Sequence, residues 1–272
     1  MLLAATTNAL IRTLLAPTCA ACDGILDRPL DGPVCAVCWR AIPRLTPPYC
    51  VRCGDALASG RESTGPCCDR CRQLTSLVTL TRSAGVYDGS LRRIIHAFKY
   101  DGRRALATRI AALMREAGAD LLAGADVVVP VPLHPWRAFR RGFNQADDLA
   151  RHLGPPVWRV LRRRRHGPPQ ASLPAAERHA NVRAAYALRP SLPRPARDRL
   201  MQFEPGVVRQ LRNRSIVLVD DVMTTGATLE ACARVLAAAG VRKIAALTAA
   251  RALAGSLRPR PTTLHPSPAP RR

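Results

Sequence analysis

Lysine is almost missing from this 272-residue chain, where Lys99 and Lys243 are two of 42 basic residues. Acids are scarce too, 19 in all, and the formal net charge is +23. That balance argues against cationic partners and for anionic ones: nucleic acid, phosphorylated metabolites or an acidic membrane surface. Arginine suits phosphate because its planar fork binds two oxygens at once. The same arginine usage, with abundant Ala and Pro, is also what a GC-rich genome produces, so part of the charge needs no target. Aromatics are few, and Trp39, Tyr49, Trp136 and Trp158 form no evident base-stacking platform in the sequence, which weakens any sequence-specific reading of nucleic acid. No segment approaches the ~20 apolar residues of a membrane span. Neither a GxGxxG fingerprint nor a Gly-Lys-Ser/Thr phosphate loop occurs. Residues 1–16 are apolar but lack a basic leader and an A-x-A site, so a short docking helix is expected rather than a signal peptide.

Cysteine, by contrast, is concentrated. Nine of ten lie between Cys19 and Cys71, eight of them in the C-x-x-C pairs Cys19/Cys22, Cys35/Cys38, Cys50/Cys53 and Cys68/Cys71. Each C-x-x-C offers two thiolates to one metal, and two pairs complete a tetrahedral Cys₄ zinc site. Residues 17–75 therefore read as a zinc-ribbon module, with structural Zn²⁺ and no open position for catalysis. Sequential and interleaved pairings are both open, and Cys67 is an alternative ligand or a free thiol. Thiols kept for metal imply a reducing compartment, and the expected location is cytoplasmic.

Residues 79–252 alternate strand and helix patterns. Residues 82–88 read as a strand, Leu91, Ile94, Ile95 and Phe98 as one face of a helix, and 104–117 as another helix. Val127 to Val129 is a buried strand, residues 142–153 a helical pattern, 157–161 a strand, and 243–248 the last strand. This order predicts an α/β fold with a doubly wound, mainly parallel sheet. Two arginine- and proline-rich stretches, 162–183 and 190–213, are too polar for a core, and 255–272 reads as a disordered tail.

The chain is organised around residues 215–240. Ile216, Val217, Leu218 and Val219 form a strand buried on both faces, and the acids Asp220 and Asp221 end it. Thr224, Thr225, Gly226, Ala227 and Thr228 follow as a loop of small residues. Leu229, Ala233 and Leu236 then mark a helix capped by Gly240. Loop amides at a helix N-terminus favour phosphate. The two carboxylates beside them could accept from vicinal sugar hydroxyls or hold hydrated Mg²⁺. A 5-phosphorylated ribose presents both features.

This stretch resembles the phosphoribosyl diphosphate (PRPP) signature of type I phosphoribosyltransferases. A second box runs Val129-Pro130-Val131-Pro132-Leu133-His134-Pro135-Trp136-Arg137, then Arg140-Arg141-Gly142-Phe143-Asn144-Gln145. With Phe98-Lys99-Tyr100-Asp101-Gly102-Arg103 and the stretch from Gln170 to Tyr186, these boxes and the Cys-rich N-terminus resemble the ComF family, over roughly residues 17–250. The resemblance implies a type I phosphoribosyltransferase fold behind a double zinc ribbon. It implies PRPP and Mg²⁺ held by Asp220, Asp221 and the 224–228 loop, with Lys99 alongside. Pro132, Leu133 and His134 would form the diphosphate loop with Arg137, and Asp220, Asp221, Arg137 and Arg141 would be the catalytic residues. Residues 162–183 would be a flexible lid, and 190–213 is an insertion on the family's usual spacing.

Three functions follow as expectations. The first is a PRPP-dependent transferase with an unidentified acceptor. The second is a factor that handles single-stranded DNA and meets competence or DNA-uptake proteins. The third is a sensor of PRPP or a nucleotide without turnover. The histidines His96, His134, His152, His166 and His179 are dispersed and announce no base, and the oligomeric state is open.

Overall fold

The computed structural model describes residues 2–45, 47–57, 66–164, 185–189 and 207–253. The chain opens with α1 (Leu2–Leu15), then a cysteine-rich module carrying α2 (Ala36–Arg40) and α3 (Asp69–Gln73). There follow β1 (Leu80–Ser83), α4 (Gly89–Tyr100), α5 (Leu106–Ala117), α6 (Ala119–Ala123) and β2 (Val127–Pro130). After these come α7 (Pro135–Arg141), α8 (Gln145–Ala150), β3 (Leu161–Arg163) and β4 (Tyr186–Leu188). Last are α9 (Val207–Leu211), β5 (Ser215–Met223), α10 (Ala227–Ala238) and β6 (Lys243–Arg251).

Four strands make one parallel sheet in the order β1-β6-β5-β2. β5 lies inside it, and its alternate residues serve two cores, because a pleated strand sends neighbours to opposite faces. Val217 and Val219 join Ile94, Phe98, Ile110 and Leu149, from α4, α5 and α8. Ile216 and Leu218 join Leu229, Cys232, Ala233 and Leu236 of α10. Each fully buried Leu, Ile or Phe contributes about 2 kcal/mol. The sheet is doubly wound, as the alternating pattern predicts.

Several boundaries differ from the sequence expectation, each for a tertiary reason. β5 does not stop at the acids but runs to Met223, because β6 stays paired with it through Asp220↔Thr248 and Met223↔Arg251. β1 begins earlier and ends at Ser83. Beyond it the Gly85 backbone lies so close to the cysteine-rich module that a Cβ would come within 2.7 Å of the Pro43 carbonyl. Val157 makes a single bridge to Val128, and the strand proper is β3, paired antiparallel with β4 in a separate ribbon. The helical pattern over 142–153 splits: Gly142, at φ 72°, closes α7, and Asn144 caps α8 through its side chain. Pro135, within the second box, is the first residue of α7, where its missing N–H costs nothing.

The cysteine-rich module lies along the outer edge of β1, where Thr81 N–H donates to the Arg52 carbonyl at 2.7 Å. A strand edge is thereby covered. Among the described residues no helix is long and apolar enough to cross a membrane. The expected lid and insertion fall partly, and the expected tail wholly, on 165–184, 190–206 and 254–272, which lie outside the described residues. Within residues 190–213, α9 is described, and its Leu211 is fully buried.

Candidate functional site

The site is built at the C-terminal end of β5, beside the end of β2. The pleat separates the two acids. Asp221 continues the face of Val217 and Val219, toward α4, where Lys99 Nζ reaches its Oδ1 at 2.8 Å. Both side chains are about 15% exposed (15% and 14%), so this pair is largely shielded from solvent. Asp220 continues the face of Ile216 and Leu218, on the side of Cys232 and Tyr186, and accepts the Asp221 N–H at 2.8 Å. Burial, and next the charge of Asp221, push the Asp220 carboxyl up to about 7, against the pull of that N–H and of Lys99. One acid of the pair is thus neutralised by lysine, and its neighbour titrates near neutrality.

Two residues beyond the acids the chain leaves the sheet. Gly226 adopts φ 80° at the N-cap of α10, and a Cβ there would stand 2.8 Å from Met223 Cε. Glycine is required both for the left-handed backbone and for space. Thr225 Oγ1 accepts the Ala227 N–H at 3.3 Å, which tightens the turn. The first-turn amides of α10 have no intrahelical acceptors, and the helix dipole adds to their attraction for an anion. Thr224 and Thr225 are exposed, and Gly226, Ala227 and Thr228 are half-buried. Burial lifts the pKa of the Tyr186 hydroxyl to about 12, against a pull from the Thr228 side chain.

The segment after β2 supplies the opposite wall. Pro132 is buried, while Leu133 and His134 are half-buried. His134 Nδ1 accepts the Trp136 N–H at 3.3 Å, so this residue caps α7. Arg137 is exposed on the first turn of that helix. Arg141 turns back to Gln145 Oε1 at 3.1 Å and lies over the Tyr100 ring, 4.7 Å from its centre, one residue along from Lys99. The structure thus brings Lys99, Asp221, Tyr100 and Arg141 into one neighbourhood, and leaves Arg137 facing solvent.

The cysteines resolve into two groups, Cys19/Cys22/Cys35/Cys38 and Cys50/Cys53/Cys68/Cys71, with the sulfurs of each within 4.8 Å of one another. The pairing is sequential. Tetrahedral zinc with ~2.3 Å bonds separates its sulfurs by about 3.8 Å. Cys22 and Cys35 stand 3.9 Å apart, and Cys53 and Cys68 3.7 Å. The donor set fits structural Zn²⁺. Burial raises the Cys19 and Cys50 thiols, but N–H groups donated to each sulfur outweigh it and bring them to about 7 and about 6. Burial and neighbouring thiols push Cys38 and Cys53 well up, and Cys71 to about 11. Crowded thiols resist one another's charge, which a divalent cation relieves. Cys67 stands outside both groups.

Two contributors escaped the sequence reading. Tyr186 lies in a quoted motif, yet nothing local connects it to Thr228. Arg70, inside the last C-x-x-C, donates from Nη2 to the Thr225 carbonyl at 2.7 Å. That contact depends on how the module docks, and no local pattern encodes it.

Residues 103–264 match the model of the phosphoribosyl transferase domain, and residues 10–72 that of the double zinc ribbon domain. The chain is 30% identical over 244 residues to competence protein F of Haemophilus influenzae, covering 86% of this chain and 96% of that protein. It is 31% identical over 217 residues to the DNA utilization protein YhgH of Salmonella typhi, and 30% identical over 216 residues to that of Escherichia coli K12. Each of these two matches covers 75% of this chain and 83% of the relative. The chain belongs to the ComF family, whose phosphoribosyltransferase domain follows a double zinc ribbon.

Proposed function

We propose that the chain binds PRPP with Mg²⁺ at the end of β5 and serves DNA uptake as a transferase-type domain. The observation that carries this reading is the partly buried acid pair, one member held by Lys99, leading into a glycine-pinned loop at the N-terminus of α10. The loop amides suit a 5-phosphate and the carboxylates suit ribose hydroxyls. Two carboxylates are hard oxygen donors, so they also fit Mg²⁺, which when bound would offset charge on a departing diphosphate. Lys99, Arg137 and Arg141 would meet the diphosphate from the α4 and α7 sides. An acceptor would displace diphosphate from the anomeric carbon, and water must be kept out while it does. The names of the curated relatives support the link to DNA uptake.

One observation favours a nucleic-acid role for the same face. Trp136 and Phe139, three apart on α7, are 59% and 87% exposed, and Tyr100 is 60% exposed. Arg140 lies over the Trp136 ring at 4.8 Å. Flat rings interleaved with guanidinium groups are what grips single-stranded DNA without reading its sequence. These exposed rings on α7 and at the end of α4 support a stacking role that the sequence reading did not see.

The test is calorimetric titration of Mg²⁺·PRPP into the wild type and the Asp220→Asn/Asp221→Asn variant, with diphosphate release followed with and without single-stranded DNA. Micromolar binding lost by at least tenfold in the variant is expected. Equal affinity in both proteins would remove the site assignment. Binding without release would favour a sensor over a transferase.

A further inference from the structure

Three ties run from the second cysteine group, and the segment leaving it, to the β5–α10 loop and its flanks. Arg70 lies within the Cys68–Cys71 knuckle, and its bond to the Thr225 carbonyl touches the loop itself. Asp55, two residues after Cys53, pairs with Arg251 at 3.1 Å. Arg251 is only 2% exposed, and its ladder partner is Met223, the last strand residue before the loop. Ser76 Oγ donates to Glu230 at 2.8 Å, and the Leu77 N–H to the same carboxylate at 3.3 Å, in the first turn of α10. The loop, the strand beside its approach and its exit are each tied to that group or to the segment leaving it.

A C-x-x-C knuckle has a fixed backbone only while both thiolates share a metal, because the module is too small to hold that turn by apolar burial. Arg70 is therefore pre-positioned by zinc. Without zinc, ordering its long side chain against Thr225 would cost most of what the bond returns. We infer that the second zinc group is the support of the loop: metal bound by Cys50, Cys53, Cys68 and Cys71 sets Arg70 and Asp55, and through them the loop's anion-binding geometry. Arg70 is a positioning residue, not a catalytic one. The inference rests on the loop being an anion site. Coupling is reciprocal, so a phosphate ligand on the loop tightens zinc at the second group by the same factor.

The experiment uses the full chain, zinc-loaded, as wild type, Arg70→Ala, Ser76→Ala and Arg72→Ala. Arg72 bonds the Cys67 carbonyl and Asp69 within the module, and serves as the control. Zinc content, amide hydrogen exchange over residues 224–230 and Mg²⁺·PRPP affinity are measured on each. Arg70→Ala and Ser76→Ala should keep full zinc, exchange faster over 224–230, and bind PRPP about fivefold more weakly, the usual net worth of one hydrogen bond. Arg72→Ala should match the wild type, and chelating zinc should reproduce the faster exchange. Wild-type exchange in both Arg70→Ala and Ser76→Ala would overturn the coupling. Should Arg70→Ala lose zinc, chelation of the wild type decides, since unchanged exchange over 224–230 on zinc removal would overturn the coupling. If the wild type binds no PRPP, the exchange comparison still judges the coupling, and only the functional reading falls.

Discussion

Asp220 carries the clearest pH dependence. In an unfolded chain its carboxyl would titrate near ~3.9. In the fold, burial and the charge of Asp221 raise it to about 7. Between these values the folded protein holds a proton that the unfolded chain has released. The group's contribution therefore favours the fold fully below about pH 4, and is lost as pH rises through about 7. Asp220→Asn removes that titration while keeping the shape. Thermal melting of the ligand-free protein across pH 4 to 9 should show the wild type losing stability relative to the variant from about pH 4 to about 7, and levelling off above that. Parallel profiles would mean that another group carries the shift. Asp221 lies on the opposite face, where Lys99 meets it at 2.8 Å. The chemistry of this pair was legible, since strand, acids, loop and helix are consecutive in the chain. Their division between two faces was implicit in the pleat. What burial does to Asp220 was not legible, because it depends on α10 and β4 closing over one face.

Local patterns and tertiary contacts divide the elements in the same way. The helix α10 and its glycine turn follow from residues 224–236 alone, and both are where the sequence puts them. The length of β5 does not, since its last residues are extended only because β6 is paired beside them up to Arg251. α7 was hidden for a subtler reason: prolines that stop β2 also start a helix, and only the capping His134 separates the two roles. The glycine turn is the part of this unit most exposed to test. Gly226→Ala places a Cβ at φ 80°, 2.8 Å from Met223 Cε. The backbone strain alone is about 1–3 kcal/mol. Methionine can move, so the fold should survive, with a denaturant midpoint lowered accordingly. The loop should pay more than the fold: Mg²⁺·PRPP affinity is expected to fall at least tenfold in calorimetry. Unchanged affinity in a destabilised variant would show that the ligand does not depend on this turn.

The two zinc groups, alike in sequence, are anchored to the molecule in different ways. From the first, Cys19, Ala21, Leu26, Val34, Cys38 and Ile42 are buried in the same core as Leu91, Ile94 and Phe98. That half of the module is an extension of the main domain, held by apolar contact as well as by metal. Among the described residues, the second half offers no such residues to either core beyond Val78, at its exit toward β1. Its ties are polar: Arg70 to the loop, Asp55 to Arg251, Arg52 to the edge of β1. Identical C-x-x-C spacing thus conceals unequal stability, because spacing specifies the ligands and not the surface against which they are packed. A graded chelator titration monitored by zinc release and by melting should separate them. Zinc from Cys50, Cys53, Cys68 and Cys71 should leave first, with the main melting transition lowered by about 5–10 °C, as expected for losing a few kcal/mol of polar ties. Zinc from Cys19, Cys22, Cys35 and Cys38 should leave only as the main core opens, since its ligands are part of that core. Release of both in one step, coincident with unfolding, would instead make the whole module and the domain a single cooperative unit. The loop would then lose its support only when the protein unfolds, and metal occupancy could not tune it under native conditions.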